Sequence, residues 1–141
     1  MLCFAPIVLL GFATTIETSW HKTPNEDGTV IEIQTCDKGI GIDVKLSMSG
    51  LYGIAVQYGL QKDVGNGVTI ALLPKAGASY VDHPNEALPS RTQFEVGAQL
   101  LVGYGRYRFG VEYWHMSNAG MEYPNVGQDM VIFQTGFKFN L

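Results

Sequence analysis

Short runs of alternating side chains are the feature that most constrains the fold of this chain. In most of the runs, large apolar residues take every second position, and the positions between them often hold Gly, Gln, Asp, Lys, Arg or Glu. The run from Ile40 to Met48 shows the pattern, with Ile, Val, Leu and Met alternating with Gly, Asp, Lys and Ser. Because successive side chains of a strand point to opposite faces, each run predicts a β-strand with one apolar face and one small or polar face.

Eight such runs, separated by turn residues, predict an all-β chain without a helical segment of useful length. They lie at about 14–21, 29–36, 40–48, 52–60, 68–80, 94–102, 106–117 and 129–140. The length of 141 residues, the 17 glycines and the charged content of only 16% fit one domain with a low surface charge.

The polarity of the two faces favours a membrane barrel. The interior of an eight-stranded barrel is just wide enough for side chains, so small and charged residues inside and aromatic residues outside fit a wall that contacts lipid. Strands of about 9–11 residues also match a tilted crossing of the bilayer. We therefore predict an eight-stranded antiparallel up-and-down transmembrane β-barrel. The alternative is a soluble lipocalin-like or sandwich fold, in which the apolar faces converge inward.

The first 13 residues form an apolar run that is too short to span a bilayer as a helix. Small residues around Ala13 suit a signal peptidase, so the sequence predicts a signal peptide at 1–13 and a mature barrel domain at 14–141. No Lys or Arg precedes the run, and an uncleaved first strand or plug is the alternative. Cleavage would remove Cys3 and leave Cys36 as the single thiol, so no intrachain disulfide is expected.

A base, a hydroxyl and a carboxylate stand where two of the runs can bring them together. His115 and Ser117 are two residues apart and share the apolar face of their strand. If the last two strands form a hairpin that keeps both apolar faces on one surface, Tyr113 faces Val131 and His115 faces Asp129. Directly opposed residues lie about 4.5–5.5 Å apart at Cβ, within hydrogen-bonding reach of these side chains. The spacing predicts a serine-hydrolase site on the barrel wall.

Each of these residues also has an ordinary structural explanation. A His-x-Ser pair at a strand end is more often part of a polar rim, and Asp129 could accept hydrogen bonds from the backbone after Gly127. The convergence of three such groups on one face, through two independent alternations, is what favours a site.

The stretch from 115 to 129 resembles the signature of a known enzyme family. It reads His-Met-Ser-Asn-Ala-Gly at 115–120, Pro-Asn-x-Gly at 124–127 and Asp at 129. This pattern is similar to that of the outer-membrane lipid A 3-O-deacylase (PagL) family, small eight-stranded barrels that hydrolyse the ester-linked acyl chain at the 3-position of lipid A. The resemblance implies a location in the outer membrane, lipid A or lipopolysaccharide as the substrate, and no cofactor.

The resemblance also implies roles for the site residues. Ser117 would be the nucleophile, His115 the general base and Asp129 the carboxylate that orients the imidazole. The usual acid of the family is Glu, so Asp129 is a departure. The candidates for the oxyanion site are Asn118, Ala119 and Gly120. The candidates for an acyl groove, whose alternative role is plain lipid contact, are Phe109, Val111, Tyr113, Val131 and Phe133.

Two other functions remain alternatives, a non-catalytic outer-membrane barrel with an adhesive or structural role and a phospholipase acting on glycerophospholipids. The net charge of −4 indicates neither a nucleic-acid partner nor a polyanionic surface. No metal site is expected, because neither His21 nor His83 has the spacing of a ligand to another His or Cys.

Overall fold

A computed structural model describes residues 4–16, 28–84, 91–118 and 127–140, which form a closed antiparallel barrel. Its strands are β1 (Ile7–Thr15), β2 (Gly28–Gln34), β3 (Gly39–Ser47), β4 (Leu51–Gly65), β5 (Val68–Val81), β6 (Thr92–Tyr104), β7 (Tyr107–Ser117) and β8 (Gln128–Lys138). Each strand pairs with its neighbours in sequence, and β1 pairs with β8 to close the barrel. The prediction of an eight-stranded up-and-down barrel is confirmed.

The connections between strands give the barrel two different ends. At one end, which we call the short-turn end, the connections are residues 35–38, 66–67 and 105–106. At the opposite loop end, three of the four connections are longer, at 16–27, 82–91 and 118–127. None of the described residues forms a helix long and apolar enough to cross a membrane.

The two faces of the wall have the predicted polarity. Glu32, Asp43 and Gln99 point into the barrel and have no exposed surface, whereas Val56 and Phe133 stay about 60% exposed on the outside. Apolar side chains on the outside are stable in lipid rather than in water. The soluble alternative, with the apolar faces inward, is therefore wrong.

A set of five buried charges, which we call the central network, occupies the middle of the barrel. It consists of Glu32, Asp43, Lys45, Lys75 and Glu112. Lys45 binds Asp43 and lies 2.8 Å from Glu112, and Lys75 binds Glu32 and lies 3.0 Å from Glu112. The amide groups that donate hydrogen bonds to Glu32 belong to Gln34, Gln99 and Gln134.

Apolar layers lie on both sides of the central network. The layer towards the loop end contains Ala13, Val30, Leu51, Val81, Trp114, Met116, Met130 and Ile132. The layer towards the short-turn end contains Ile7, Leu9, Ala71, Leu73 and Leu101. Beyond this second layer, Asp37 lies 2.9 Å from Arg108 and 2.7 Å from Lys138. The described interior is thus filled by side chains in layers of alternating polarity.

The first strand begins earlier than the sequence analysis predicted. The structure forms β1 from Ile7–Thr15 instead of about 14–21, and residues 17–21 lie outside the described residues. The inward positions of β1 include Ile7, Leu9 and Ala13, which are as apolar as the outward ones. Because polarity does not alternate along β1, the segment resembles the apolar core of a signal peptide. Cleavage after Ala13 stays a prediction, although it would remove residues 7–13, seven of the nine residues of β1.

We expect a chain that starts at residue 14 to fail to form the barrel. If most of β1 is missing, its two neighbours, β2 and β8, each expose unpaired backbone groups to lipid, which has no hydrogen-bonding partner for them. The measurement is heat-dependent mobility in SDS gels after refolding in detergent, with a chain that starts at residue 4 as the control. A heat-modifiable barrel from residues 14–141 would contradict this expectation and support the predicted cleavage.

We expect Lys75→Met to lower the free energy of unfolding by about 3–5 kcal/mol, because it leaves three buried carboxylates around Lys45 alone. Lys62→Met changes an exposed lysine of β4 and should shift stability by less than about 0.5 kcal/mol. Urea unfolding in lipid vesicles, followed by tryptophan fluorescence, measures both variants. Equal midpoints would show that the central network does not hold the barrel together.

Candidate active site

The register of β7 and β8 brings His115 and Asp129 together on the outer wall. The structure pairs His115 with Asp129 and Tyr113 with Val131, as predicted. Nδ1 of His115 lies 2.7 Å from Oδ1 of Asp129, and both side chains are 30% exposed. The short aspartate side chain therefore reaches the imidazole, because the two residues are directly opposite each other in the sheet.

Ser117 continues the outward face of β7 two residues after His115. It is half-buried and pairs with Phe94 of β6. Within the described ranges, no hydrogen bond joins the Ser117 hydroxyl to the His115 imidazole. The structure thus brings the imidazole and the carboxylate into contact and places Ser117 two residues farther along β7.

Tyr113 makes a contact with the site that the sequence analysis did not predict. Its hydroxyl donates a hydrogen bond to Oδ1 of Asp129, the same atom that His115 contacts. In the sequence analysis, Tyr113 was only a candidate for the acyl groove. The diagonal relation of residues 113 and 129 in the predicted hairpin was the signal that could have found the contact, since a long side chain spans it.

Gly127 brings the backbone close to His115 and Ser117. Its φ of +74° lies in the left-handed region. A Cβ at this position would lie 3.0 Å from Cε1 of His115 and 3.5 Å from Cβ of Ser117. Glycine is therefore favoured here both by its backbone conformation and by the close packing against the imidazole.

Of the three oxyanion candidates, the structure describes Asn118. Asn118 is fully buried, continues the buried series of Trp114 and Met116, and has an interaction partner. Ala119 and Gly120 lie outside the described residues. An oxyanion role for any of the three remains a prediction.

The five groove candidates form a stripe on the outer wall that runs from His115 towards the short-turn end. Phe109, Val111, Tyr113 and Phe133 are 43–60% exposed, and Val131 is partly exposed. A shallow depression of about 270 Å³ opens on this stripe. Its lining residues are Leu100, Val102, Phe109, Gly110, Val111, Phe133 and Gln134. The predicted apolar surface is therefore present and begins beside the site. At the level of Val111, four residues before His115 on β7, it lies about 13 Å from His115 along the strand.

The inward face of β7 anchors the strand from behind the site. Trp114 donates a hydrogen bond from Nε1 to Glu95 over 3.0 Å, and its ring lies 5.3 Å from the Lys45 ammonium. Glu112 belongs to the central network. Because these inward residues alternate with His115 and Tyr113, their contacts fix the outward residues as well.

Three carboxylates inside the barrel come close enough to suggest a cation site. Oxygen atoms of Glu32, Asp43 and Glu112 lie within 4.8 Å of one another. Each of these groups already contacts Lys45 or Lys75. The two ammonium groups therefore supply the positive charge that the carboxylates need, and we assign no metal to them.

The comparison with protein families identifies the family of this chain. The family described as lipid A 3-O-deacylase (PagL) matches residues 11–138. The chain belongs to the PagL family. No protein with curated annotation matches the chain in sequence.

Two solved structures of outer-membrane proteins match almost the whole length of this chain. The outer membrane protein Ail of Yersinia pestis in a phospholipid bilayer nanodisc is 15% identical, with a TM-score of 0.53, and the match covers 96% of this chain and 99% of Ail. The crystal structure of the outer membrane enzyme PagL is 16% identical, with a TM-score of 0.49, over 97% of this chain and 99% of that one. The likeness to Ail shows the barrel fold, and family and fold together place the protein in the outer membrane.

The location in the outer membrane also indicates the orientation of the site. Barrels of this membrane have short turns on the periplasmic side and longer loops outside. His115, Ser117 and Asp129 lie at the loop end. The candidate site therefore lies in the outer half of the membrane.

We expect Gly127→Ala to displace the His115 ring. The new Cβ would lie 3.0 Å from Cε1, and the left-handed backbone adds a cost of about 1–2 kcal/mol. Gly39→Ala is the matched control, because its φ is +79° and a Cβ there meets nothing within 4 Å. The measurement is the NMR chemical shift of the His115 imidazole in detergent micelles. Equal shifts in the two variants would show that Gly127 does not position the ring.

Proposed function

We propose that this protein is a serine esterase that removes the ester-linked acyl chain at the 3-position of lipid A, at the lipid-facing wall of the barrel. The observation that carries the proposal is the contact between His115 and Asp129 on the outward face that also presents Ser117. Membership of the PagL family supports the substrate class. Lipid A, as part of lipopolysaccharide, is thus the expected partner of the site.

In the proposed mechanism, each group of the triad has one task. Because Nδ1 of His115 faces Asp129, Nε2 is the nitrogen available to the Ser117 hydroxyl. The imidazole takes the proton of the hydroxyl as the serine oxygen attacks the ester carbonyl. Asp129 holds the required tautomer and stabilises the imidazolium that forms. A catalytic hydrogen bond, such as the one from the Ser117 hydroxyl to Nε2 of His115, often forms or tightens only when the substrate is bound.

The second half of the reaction follows from the first. The tetrahedral intermediate collapses when the bond to the sugar oxygen breaks, and His115 gives its proton to that oxygen. The acyl chain is then esterified to Ser117, and water activated by His115 hydrolyses this ester. The backbone amides at 118–120 are the proposed donors to the oxyanion, with the Asn118 side chain as a further candidate.

The position of the site suits a substrate that never leaves the membrane. Lipopolysaccharide occupies the outer leaflet, and the site lies in the outer half of the membrane on the outside of the wall. An acyl chain that enters the site from the leaflet would extend along the apolar stripe towards the short-turn end. The proposed contacts of that chain are Phe109, Val111, Tyr113, Val131 and Phe133. Burial of its methylene groups against this stripe would contribute to binding.

We expect Ser117→Ala and His115→Ala each to lower deacylation by several orders of magnitude, because members of a triad act as a unit. Mass spectrometry of lipid A incubated with the refolded barrel measures the loss of one 3-hydroxyacyl chain. Ser49→Ala, a change in the β3–β4 turn at the same end of the barrel, is the matched control and should keep full activity. Asp129→Asn should lower deacylation less than Ser117→Ala or His115→Ala does, because the nucleophile and the base remain.

Three outcomes would contradict the proposal in different ways. Equal activity of the wild type and Ser117→Ala would exclude the serine mechanism. Release of fatty acid from glycerophospholipids, with lipid A unchanged, would favour a phospholipase. A folded wild-type barrel that cleaves neither lipid would favour a non-catalytic barrel with an adhesive or structural role.

A further inference from the structure

Two outward side chains converge on a single oxygen atom of a third side chain at the site. Oδ1 of Asp129 contacts Nδ1 of His115 and accepts a hydrogen bond from the Tyr113 hydroxyl. Tyr113 is not directly opposite Asp129, since its partner in the register is Val131. The length of the phenol side chain lets its hydroxyl reach the carboxylate across the diagonal.

The carboxylate has few other contacts that could orient it. Within the described ranges, the side chain of Asp129 has no hydrogen-bonding partner besides Tyr113 and His115. Apolar side chains lie near it on the wall, including Val131 on β8 and Val96, which pairs with His115, on β6. A carboxylate in apolar surroundings is costly unless donors satisfy it, and a hydrogen bond to a charged acceptor is among the stronger ones.

The fold does not require a partner for every outward tyrosine hydroxyl. In the part of the chain that the structure describes, Tyr58 and Tyr107 are also outward, about half exposed, and make no hydrogen bond through the hydroxyl. The Tyr80 hydroxyl accepts a hydrogen bond from Arg91. Among the tyrosines that the structure describes, Tyr113 is the one whose hydroxyl donates to a carboxylate.

We propose that Tyr113 is a positioning residue that holds the Asp129 carboxylate in the orientation that His115 needs. This inference rests on the proposed function, and it adds a fourth residue to the triad. Tyr113 acts through Asp129 and need not touch the reacting atoms. Loss of its hydroxyl therefore lowers the turnover number and leaves the Michaelis constant for the lipid unchanged, because the ring that faces the acyl chain remains.

The first experiment compares Tyr113→Phe with Tyr107→Phe, which removes a hydroxyl from the same strand at the short-turn end. Both variants keep the ring on the wall. A hydrogen bond to a charged group corresponds to a change of about 10- to 100-fold, so kcat of Tyr113→Phe should fall by that factor. Tyr107→Phe should match the wild type. An unchanged kcat in Tyr113→Phe, or an equal loss in both variants, overturns the inference.

A double-mutant cycle separates positioning from a general effect on the barrel. If Tyr113 acts through Asp129, Tyr113→Phe should cause no further loss in an Asp129→Ala background. If the hydroxyl only stabilised the fold, the same fold-loss would appear in both backgrounds, and the positioning role would be wrong.

The labelling of Ser117 by a fluorophosphonate probe keeps this test independent of the lipid. The probe reacts with an activated serine whatever the natural substrate is, so slower labelling of Tyr113→Phe than of Tyr107→Phe supports the inference even if lipid A is not cleaved. Wild-type labelling without lipid A cleavage would overturn the proposed substrate alone. Equal labelling of the two variants overturns the role of Tyr113 alone, and a wild type that neither labels nor cleaves lipid A overturns both.

Discussion

The neutralisation of buried charge inside the barrel is the constraint on which the rest of the structure depends. Eight strands enclose a space that only side chains can fill, and the apolar outer wall leaves the inside as the place for charged groups. Glu32, Asp43 and Glu112 would be unstable there without Lys45 and Lys75, which lie among them. Since these five residues come from β2, β3, β5 and β7, their contacts link strands that are not neighbours in the sheet.

The contacts in the interior also fix the positions of the site residues on the outer wall. On β7, Glu112 and Trp114 are held inside, and Tyr113 and His115 alternate with them on the outside. A shift of β7 by one residue in the register would exchange its two faces and put Glu112 into lipid. The contact between His115 and Asp129 is therefore maintained by the charges behind the wall. A site built on paired strands in this way is better fixed than one on a loop.

The sequence predicted the structure correctly where polarity alternates along a strand, and it did not predict the contacts that cross the barrel interior. The apolar alternation of β7 and β8 predicted the pairing of His115 with Asp129, which the structure confirms. The same reasoning missed β1, because its inward residues are apolar like its outward ones. It also missed the central network, because the pairing of side chains across the interior depends on the curvature and closure of the sheet. The hydrogen bond from Tyr113 to Asp129 was not predicted, because a diagonal contact depends on the side-chain conformation as well as on the register.

The carboxylate of the candidate site shows how geometry can offset a change of side chain. The resemblance assigned this role to Asp129 although the usual acid of the family is Glu, and the shorter side chain left the contact with the imidazole in question. Direct opposition across the hairpin shortens the required reach, so that Oδ1 of Asp129 meets Nδ1 of His115 at 2.7 Å. The same shortness keeps the carboxylate close to β8, within reach of the Tyr113 hydroxyl. On a wall that presents mainly apolar side chains to lipid, the Tyr113 hydroxyl and the His115 imidazole both contact Oδ1 of Asp129. These contacts help a carboxylate to remain there.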